Sequence, residues 1–83
     1  MLEYKYDTQL LIEGKNLDED SIGNYFKSNL CGDCLLAVGD EDLIKIHFHT
    51  NEPWKVLEYC ASLGEIYDIV IEDMSRQSRG LDG

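Results

Sequence analysis

The chain has 83 residues, 43% of them hydrophobic, and its 17 acidic and seven basic side chains give a net charge of −10 at neutral pH. This charge repels the phosphate backbone of nucleic acids and the anionic surface of a membrane, so we expect neither as a partner and no membrane insertion. Because the chain has three cysteines, no run of ~20 apolar residues and no apolar leader, we expect one small cytoplasmic domain without a disulfide framework.

The first part of the chain predicts a strand followed by a helix. Residues 4–13 alternate between apolar and polar side chains, as in a half-buried strand, and Gly14 closes the strand. Residues 16–30 carry apolar side chains near helical spacing, and Asp18 is the predicted N-cap. The acidic residues that follow Asp18 suit the positive end of the helix dipole.

A hairpin and a second helix follow. Residues 34–50 form two apolar runs around a turn at Asp40–Glu41, where the Gly and Asp residues favour a turn over a cation site. The next helix has Asn51 as its predicted cap, Pro53 in its first turn and Gly64 as its stop.

The end of the chain predicts a fourth strand over residues 65–74, and then residues 76–83 as a flexible tail or a linker to a following domain. Residues 1–75 would form one α+β domain of βαββαβ order. This order is typical of the ferredoxin-like fold, a four-stranded antiparallel sheet with both helices on one face. In its usual strand order, 4-1-3-2, the first and third strands are central neighbours. We expect Trp54 to pack in the core or at an interface.

Both histidines lie in the predicted third strand, "LIKIHFHT", two residues apart. Alternation puts the isoleucines and Phe48 toward the helices, and therefore His47 and His49 on the open face of the sheet. On the neighbouring first strand, the same alternation puts Asp7 and Gln9 on the open face. We expect Asp7, His47 and His49 to converge there, and two imidazoles with one carboxylate are a ligand set for zinc or iron.

Cys34 is a fourth candidate ligand. If the hairpin turn has two residues, Gly39 pairs with Asp42, and Cys34 lies opposite His47 on the same face. A one-residue shift of this register would remove the thiol from the site. The Cys31–Cys34 CxxC pair follows a helix and precedes a strand, which is the wrong context for a redox motif.

Two other interpretations of the open face remain. H-x-H on a strand also fits a solvated or dimer-forming face that binds no metal. A homodimer would bury the apolar residues of this face, which are Leu11, Val38, Ile66 and Val70. An iron-dependent oxygenase with two histidines and one carboxylate would need an open coordination position and a cosubstrate pocket, and one sheet face of a thin domain offers little of either.

Two stretches, "YDTQLLIEG" and "LLAVGDEDLIKIHFHTNEPWKVLEYCASLGEIYDIVIEDMSRQ", carry a family resemblance. Over residues 4–77 the chain resembles the middle domain of the catalytic subunit of bacterial fatty acid kinase and of its dihydroxyacetone-kinase-like relatives, including their fusions to DegV-like domains. The most specific part of the pattern is H-x-H-T-N-x-P, here His47 to Pro53. Where the family has Y-C-T-E this chain has Y-D-T-Q, so Asp7 stands at the position of the family's cysteine.

The resemblance implies an accessory domain of a kinase and not an enzyme by itself. In such proteins a preceding kinase domain binds ATP and magnesium, and a following domain binds lipid or docks a fatty-acid-carrying partner. The resemblance also implies a metal-binding or structural cluster at His47 and His49, with Thr50 and Asn51 in the same motif and zinc as the candidate metal. Asp7 is a harder ligand than cysteine and favours zinc less strongly.

Overall fold

The computed structural model describes residues 2–83, and within that range it contains four strands and three helices. In chain order these are β1 (Tyr6–Glu13), α1 (Glu19–Asn29), β2 (Gly32–Gly39), β3 (Leu43–Thr50), α2 (Pro53–Leu63), β4 (Glu65–Asp73) and α3 (Met74–Ser78). No helix in the described range is long and apolar enough to cross a membrane.

The strands form one antiparallel sheet in the order β2-β3-β1-β4. β1 pairs with β3 over its whole length, from Tyr6 opposite Thr50 to Glu13 opposite Leu43. The predicted ferredoxin-like α+β arrangement is therefore confirmed. So is the adjacency of the first and third strands, on which the placement of the histidines depends.

One face of the sheet encloses the core together with the two long helices. Alternate side chains of β1 and β3 point into this core, because successive residues of a strand face opposite sides. The core cluster consists of Leu10, Ile12, Ile44, Ile46 and Phe48 from the strands, Ile22 and Phe26 from α1, and Val56 and Cys60 from α2. The fully buried ring of Phe26 lies edge-on to Phe48 at 5.0 Å and to Tyr59 at 5.8 Å. The opposite side of the sheet is the open face.

The two long helices begin differently. Asp18 caps α1 as predicted, because its carboxylate accepts hydrogen bonds from the backbone N–H groups of the first turn. The predicted cap of α2, Asn51, is wrong: Glu52 occupies the N-cap position, and Pro53 begins the helix. Asn51 instead binds backbone ahead of β1, with its Oδ1 accepting from the Lys5 N–H at 3.0 Å and its Nδ2 donating to the Glu3 carbonyl at 3.0 Å.

The β2–β3 turn is longer than the two residues predicted for it. Gly39 pairs with Ile44 and not with Asp42. The Asp40 carboxylate explains the difference, because it accepts hydrogen bonds from the N–H groups of Asp42 and Leu43 at 2.8 and 3.0 Å. Gly39 has a φ of 151°, and a Cβ there would contact the backbone of Leu43 and Ile44, so the turn requires glycine at this position.

Two apolar side chains lie elsewhere than predicted. β4 contains a bulge between Tyr67 and Val70, where Asp68 has a φ of 50°, so Ile66 and Val70 face opposite sides of the sheet. Ile66 pairs with the core residue Ile12 and packs against the core, so its placement on the open face is wrong. Trp54 is 58% exposed, so the core interpretation is also wrong, and its packing at an interface stays a prediction.

The segment that follows β4 begins with a helix. Asp73 caps α3, since its carboxylate accepts from the N–H groups of Ser75 at 2.9 Å and Arg76 at 3.1 Å. The N–H of Met74 donates to the Lys5 carbonyl at 2.7 Å, which ties the start of α3 to the chain ahead of β1. The prediction of an unstructured tail is wrong for α3, whereas the boundary between domain and linker stays a prediction.

Candidate metal site on the open face of the sheet

β1 and β3 bring four polar side chains together on the open face. Asp7 pairs with His49, and Gln9 pairs with His47. Residues directly opposite each other in an antiparallel pair carry their side chains on the same face, so the two pairs form one group. The structure thus brings Asp7, His47 and His49 together, as strand alternation predicts.

The donor atoms of these three residues, which we call the metal cluster, are in close contact. Asp7 Oδ1 is 3.3 Å from His47 Nε2 and 3.9 Å from His49 Nε2. The two Nε2 atoms are 3.0 Å apart, a hydrogen-bond distance. Gln9 Nε2 donates to the two Asp7 carboxylate oxygens at 3.3 and 3.4 Å and so restrains the carboxylate. All three side chains are half-buried, which leaves the cluster open on one side.

The metal cluster fits a zinc ion by donor type and spacing. Zinc binds imidazole nitrogen and carboxylate oxygen at about 2.0–2.2 Å in tetrahedral geometry, so its ligand atoms lie roughly 3.3 Å from one another. The separations in the cluster, 3.0, 3.3 and 3.9 Å, bracket that value. Three protein donors leave the fourth position for water or for a group from another domain.

β2 adds a second group of side chains through a β-bulge. Leu36 pairs with His47 and Asp33 pairs with His49, so β2 has one residue more than β3 between these two pairs. Cys34 lies in the bulge, with a φ of 54°. The predicted register, with Cys34 opposite His47, is therefore wrong, because the longer turn and the bulge both shift β2.

Cys34 nevertheless lies beside the metal cluster. Its Sγ atom, a carboxylate oxygen of Asp33 and a ring nitrogen of His49 all lie within 4.8 Å of one another. Desolvation raises the pKa of the Cys34 thiol, and the negative charge of Asp33 raises it further. The thiol is therefore protonated at neutral pH in the metal-free protein, and its role as a fourth ligand stays a prediction.

Asp33 is the residue of this site that the sequence did not reveal. Its Oδ1 lies 3.7 Å from His49 Nδ1, on the side of the ring away from the metal cluster. One local signal could have found it. A glycine inside a strand often marks a bulge or a close approach of two backbones, and Gly32 is such a residue, since a Cβ there would contact the His49 carbonyl oxygen and the Phe48 ring.

Comparison with known proteins places the chain in a family. The sequence model of the FakA-like middle domain, from fatty acid kinase, matches residues 3–81. The chain belongs to this family. Uncharacterized proteins of Staphylococcus aureus strains USA300, NCTC 8325 and N315 are each 35% identical to it over 82 residues. The match covers 92% of the chain and 14% of each relative, so the chain spans a small part of the length of these proteins.

In this middle domain, Thr50 and Asn51 lie outside the metal cluster. Thr50 is 2% exposed and belongs to the core face of β3. Its Oγ1 donates to the Cys31 carbonyl at 2.8 Å and accepts from the Glu52 N–H at 3.1 Å. The two residues of the T-N pair therefore hold the segment between β3 and α2 against the start of β2 and the chain ahead of β1.

Proposed function

We propose that this middle domain is an accessory domain of a fatty-acid-kinase-like or dihydroxyacetone-kinase-like protein, and that it binds one zinc ion through Asp7, His47 and His49. It organises the neighbouring parts of that protein and has no active site of its own. ATP and magnesium bind to the kinase domain, and a lipid-binding domain or a fatty-acid-carrying partner completes the assembly. The observation that carries the zinc site is the convergence of three donors from two central strands within 3.0–3.9 Å.

The metal-free contacts favour exchange of a proton contact for a metal ion. The two Nε2 atoms at 3.0 Å form a hydrogen bond in which one imidazole donates and the other accepts. A zinc ion replaces this bond, because both imidazoles then direct a lone pair at the ion. The Asp7 carboxylate, already restrained by Gln9, supplies the negative charge that a divalent cation requires.

Zinc at this position would fasten the two central strands to each other. A ligand that binds only the folded state stabilises it by about 2.7 kcal/mol when present at roughly 100 times its dissociation constant. A domain of this length has a total stability of roughly 4–12 kcal/mol, so the ion would supply a large share. Its fourth coordination position, open toward solvent, can accept a group from a neighbouring domain, which is how the site would organise the assembly.

Zinc stoichiometry tests this proposal. We would measure the metal content of natively purified protein by elemental analysis, and titrate metal-free protein with zinc, for wild type, His47→Ala and Lys45→Ala. Lys45 is the matched control, because it lies on the same face of β3, two residues from His47, and is not a zinc ligand. We expect one zinc per chain in wild type and Lys45→Ala and none in His47→Ala. Wild type without zinc, or His47→Ala with it, refutes the site.

Exposed apolar side chains favour a second role of the open face, as the contact surface of a homodimer. Leu11 is joined on this face by larger apolar residues that are each 37–44% exposed, a concentration typical of interaction sites. These residues are Leu36, Val38, Leu43, Tyr67 and Val70. A dimer of this kind is compatible with a metal site, because the apolar residues lie around the metal cluster.

The oligomeric state of the protein tests the dimer. We expect the mass from light scattering to be that of a dimer for wild type and of a monomer for Val38→Lys, since a buried lysine would oppose the contact. Leu81→Lys is the control, because it makes the same change at an exposed apolar residue that follows α3 and lies outside the sheet. A monomeric wild type at about millimolar concentration would rule out this contact.

A further inference from the structure

The bulge in β2 decides on which face Asp33 lies. From Gly39 opposite Ile44 to Leu36 opposite His47, the pairing of β2 with β3 is regular. Its regular continuation would place Asp33 opposite Thr50, a residue of the core face. The bulge shifts the pairing by one residue, so that Asp33 lies opposite His49 and on the open face.

Asp33 and the metal cluster contact opposite sides of the same imidazole ring. His49 Nδ1 lies 3.7 Å from Asp33 Oδ1. His49 Nε2 lies 3.0 Å from His47 Nε2 and 3.9 Å from Asp7 Oδ1. The ring of His49 is thus placed between two carboxylates, one at each nitrogen.

One arrangement of protons satisfies all of these contacts. A neutral imidazole has one N–H and one lone pair, and a carboxylate only accepts hydrogen bonds. If His47 carries its proton on Nε2, that proton faces both the lone pair of His49 Nε2 and the oxygen of Asp7. His49 then carries its proton on Nδ1, facing Asp33. In the reverse arrangement, a lone pair of each histidine would face a carboxylate, which is repulsive.

We propose that Asp33 is a positioning residue of the metal site, and that its carboxylate holds His49 as the Nδ1–H tautomer with the Nε2 lone pair directed at Asp7 and His47. The tautomer follows from the contacts of the metal-free protein, whereas its effect on metal affinity rests on the proposed zinc site. Carboxylates that accept the second N–H of a metal-binding histidine fix its orientation and raise its basicity.

The backbone and the exposure of Asp33 both agree with this role. Cys34, the next residue, has a φ of 54°, and non-glycine residues in this region concentrate at functional sites. The 3.7 Å contact is longer than a hydrogen bond, and the Asp33 side chain is 58% exposed. It is therefore free to close the gap when a cation on Nε2 polarises the Nδ1–H bond of His49.

The tautomer of His49 can be measured without any metal. Nitrogen-15 spectra of the histidine rings, recorded on metal-free protein at about pH 8.5 where free histidine is neutral, distinguish the two forms. We expect the Nδ1–H form in wild type and a shift to the Nε2–H form in Asp33→Ala. Asp33→Asn should retain part of the wild-type signal, because its amide oxygen still accepts. Asp82→Ala is the matched control, since it removes an equally exposed carboxylate far along the chain.

Zinc titration of the same proteins provides the second measurement. Asp33→Ala should bind zinc about tenfold more weakly than wild type, and Asp82→Ala should bind it equally well. An Nε2–H form in wild type overturns the role of Asp33, and so does an Nδ1–H form that survives in Asp33→Ala. Unchanged zinc affinity in Asp33→Ala, or a second zinc that this variant loses, also overturns it. If wild type binds no zinc, the proposed zinc site fails, and the tautomer measurement alone decides what Asp33 does.

Discussion

Replacing Gly32 with alanine places a methyl group against β3 at the point where β2 begins. The added Cβ would contact the His49 carbonyl oxygen and the ring of Phe48. Neither neighbour can move without cost, because the first is backbone in the sheet and the second is a buried ring packed edge-on against Phe26. β2 must therefore move away from β3 beside the pair that Asp33 forms with His49.

The size of the effect follows from two opposing terms. Overpacking of this kind costs about 1–3 kcal/mol, and the lower flexibility of alanine in the unfolded chain offsets about 0.4–1 kcal/mol of it. We expect Gly32→Ala to lose about 1–2 kcal/mol of unfolding free energy. At a slope of about 1 kcal/mol per molar urea for a small domain, the midpoint of unfolding followed by circular dichroism falls by about 1–2 M.

Gly23→Ala is the matched control, because it makes the same chemical change where there is room. Gly23 lies inside α1, and a Cβ there has nothing within 4 Å. Alanine is the better helix former by about 0.5–1 kcal/mol, so the midpoint of Gly23→Ala should rise. If Gly32→Ala unfolds at the same urea concentration as wild type or higher, the close approach of β2 to β3 at Gly32 is refuted.

Three further predictions concern the core, a thiol and a helix cap. Phe26→Ala should lose about 3–5 kcal/mol of unfolding free energy in the same urea assay, because its ring fills the space beside Phe48, and a loss below about 1 kcal/mol would contradict the packing. Burial raises the pKa of the Cys60 thiol to about 12, so iodoacetamide at about pH 8 should alkylate the exposed Cys31 and leave Cys60 unmodified until the protein unfolds; mass spectrometry would reveal the opposite. The hydrogen bond from Ser75 lowers the pKa of Asp73, so its carboxylate stabilises the fold above the unfolded-state pKa of about 3.9 and this contribution is lost as pH falls through the folded-state value. Asp73→Ala should therefore be less stable than wild type at neutral pH and equally stable at about pH 2, and a difference that does not change with pH would refute the linkage.

The parts of the fold that follow from local periodicity could be predicted from the sequence. Successive side chains of a strand face opposite sides, so alternation alone places His47 and His49 on one face of β3 and Asp7 on the same face of β1. The order of strands and helices then makes β1 and β3 neighbours. The cap of α1 at Asp18 is equally local, because its bonds span at most three residues.

The register of the outer strands could not be predicted in this way. A bulge adds one residue and exchanges the two faces beyond it, and neither bulge leaves a mark in the apolar pattern. In β4, the bulge at Asp68 sends Ile66 to the core, although it has the same parity as Val70. In β2, the bulge separates Cys34 from its predicted partner and brings Asp33 opposite His49.

The sequence by itself determined the order of elements, the inward and outward faces of the central strands, and hence the meeting of Asp7 with the two histidines. The tertiary structure alone decided what surrounds that cluster. The β2 register depends on the bonds that the Asp40 carboxylate makes in the turn and on the room that Gly32 leaves against the β3 backbone. These are contacts between particular atoms, and a repeat of two residues carries no information about them.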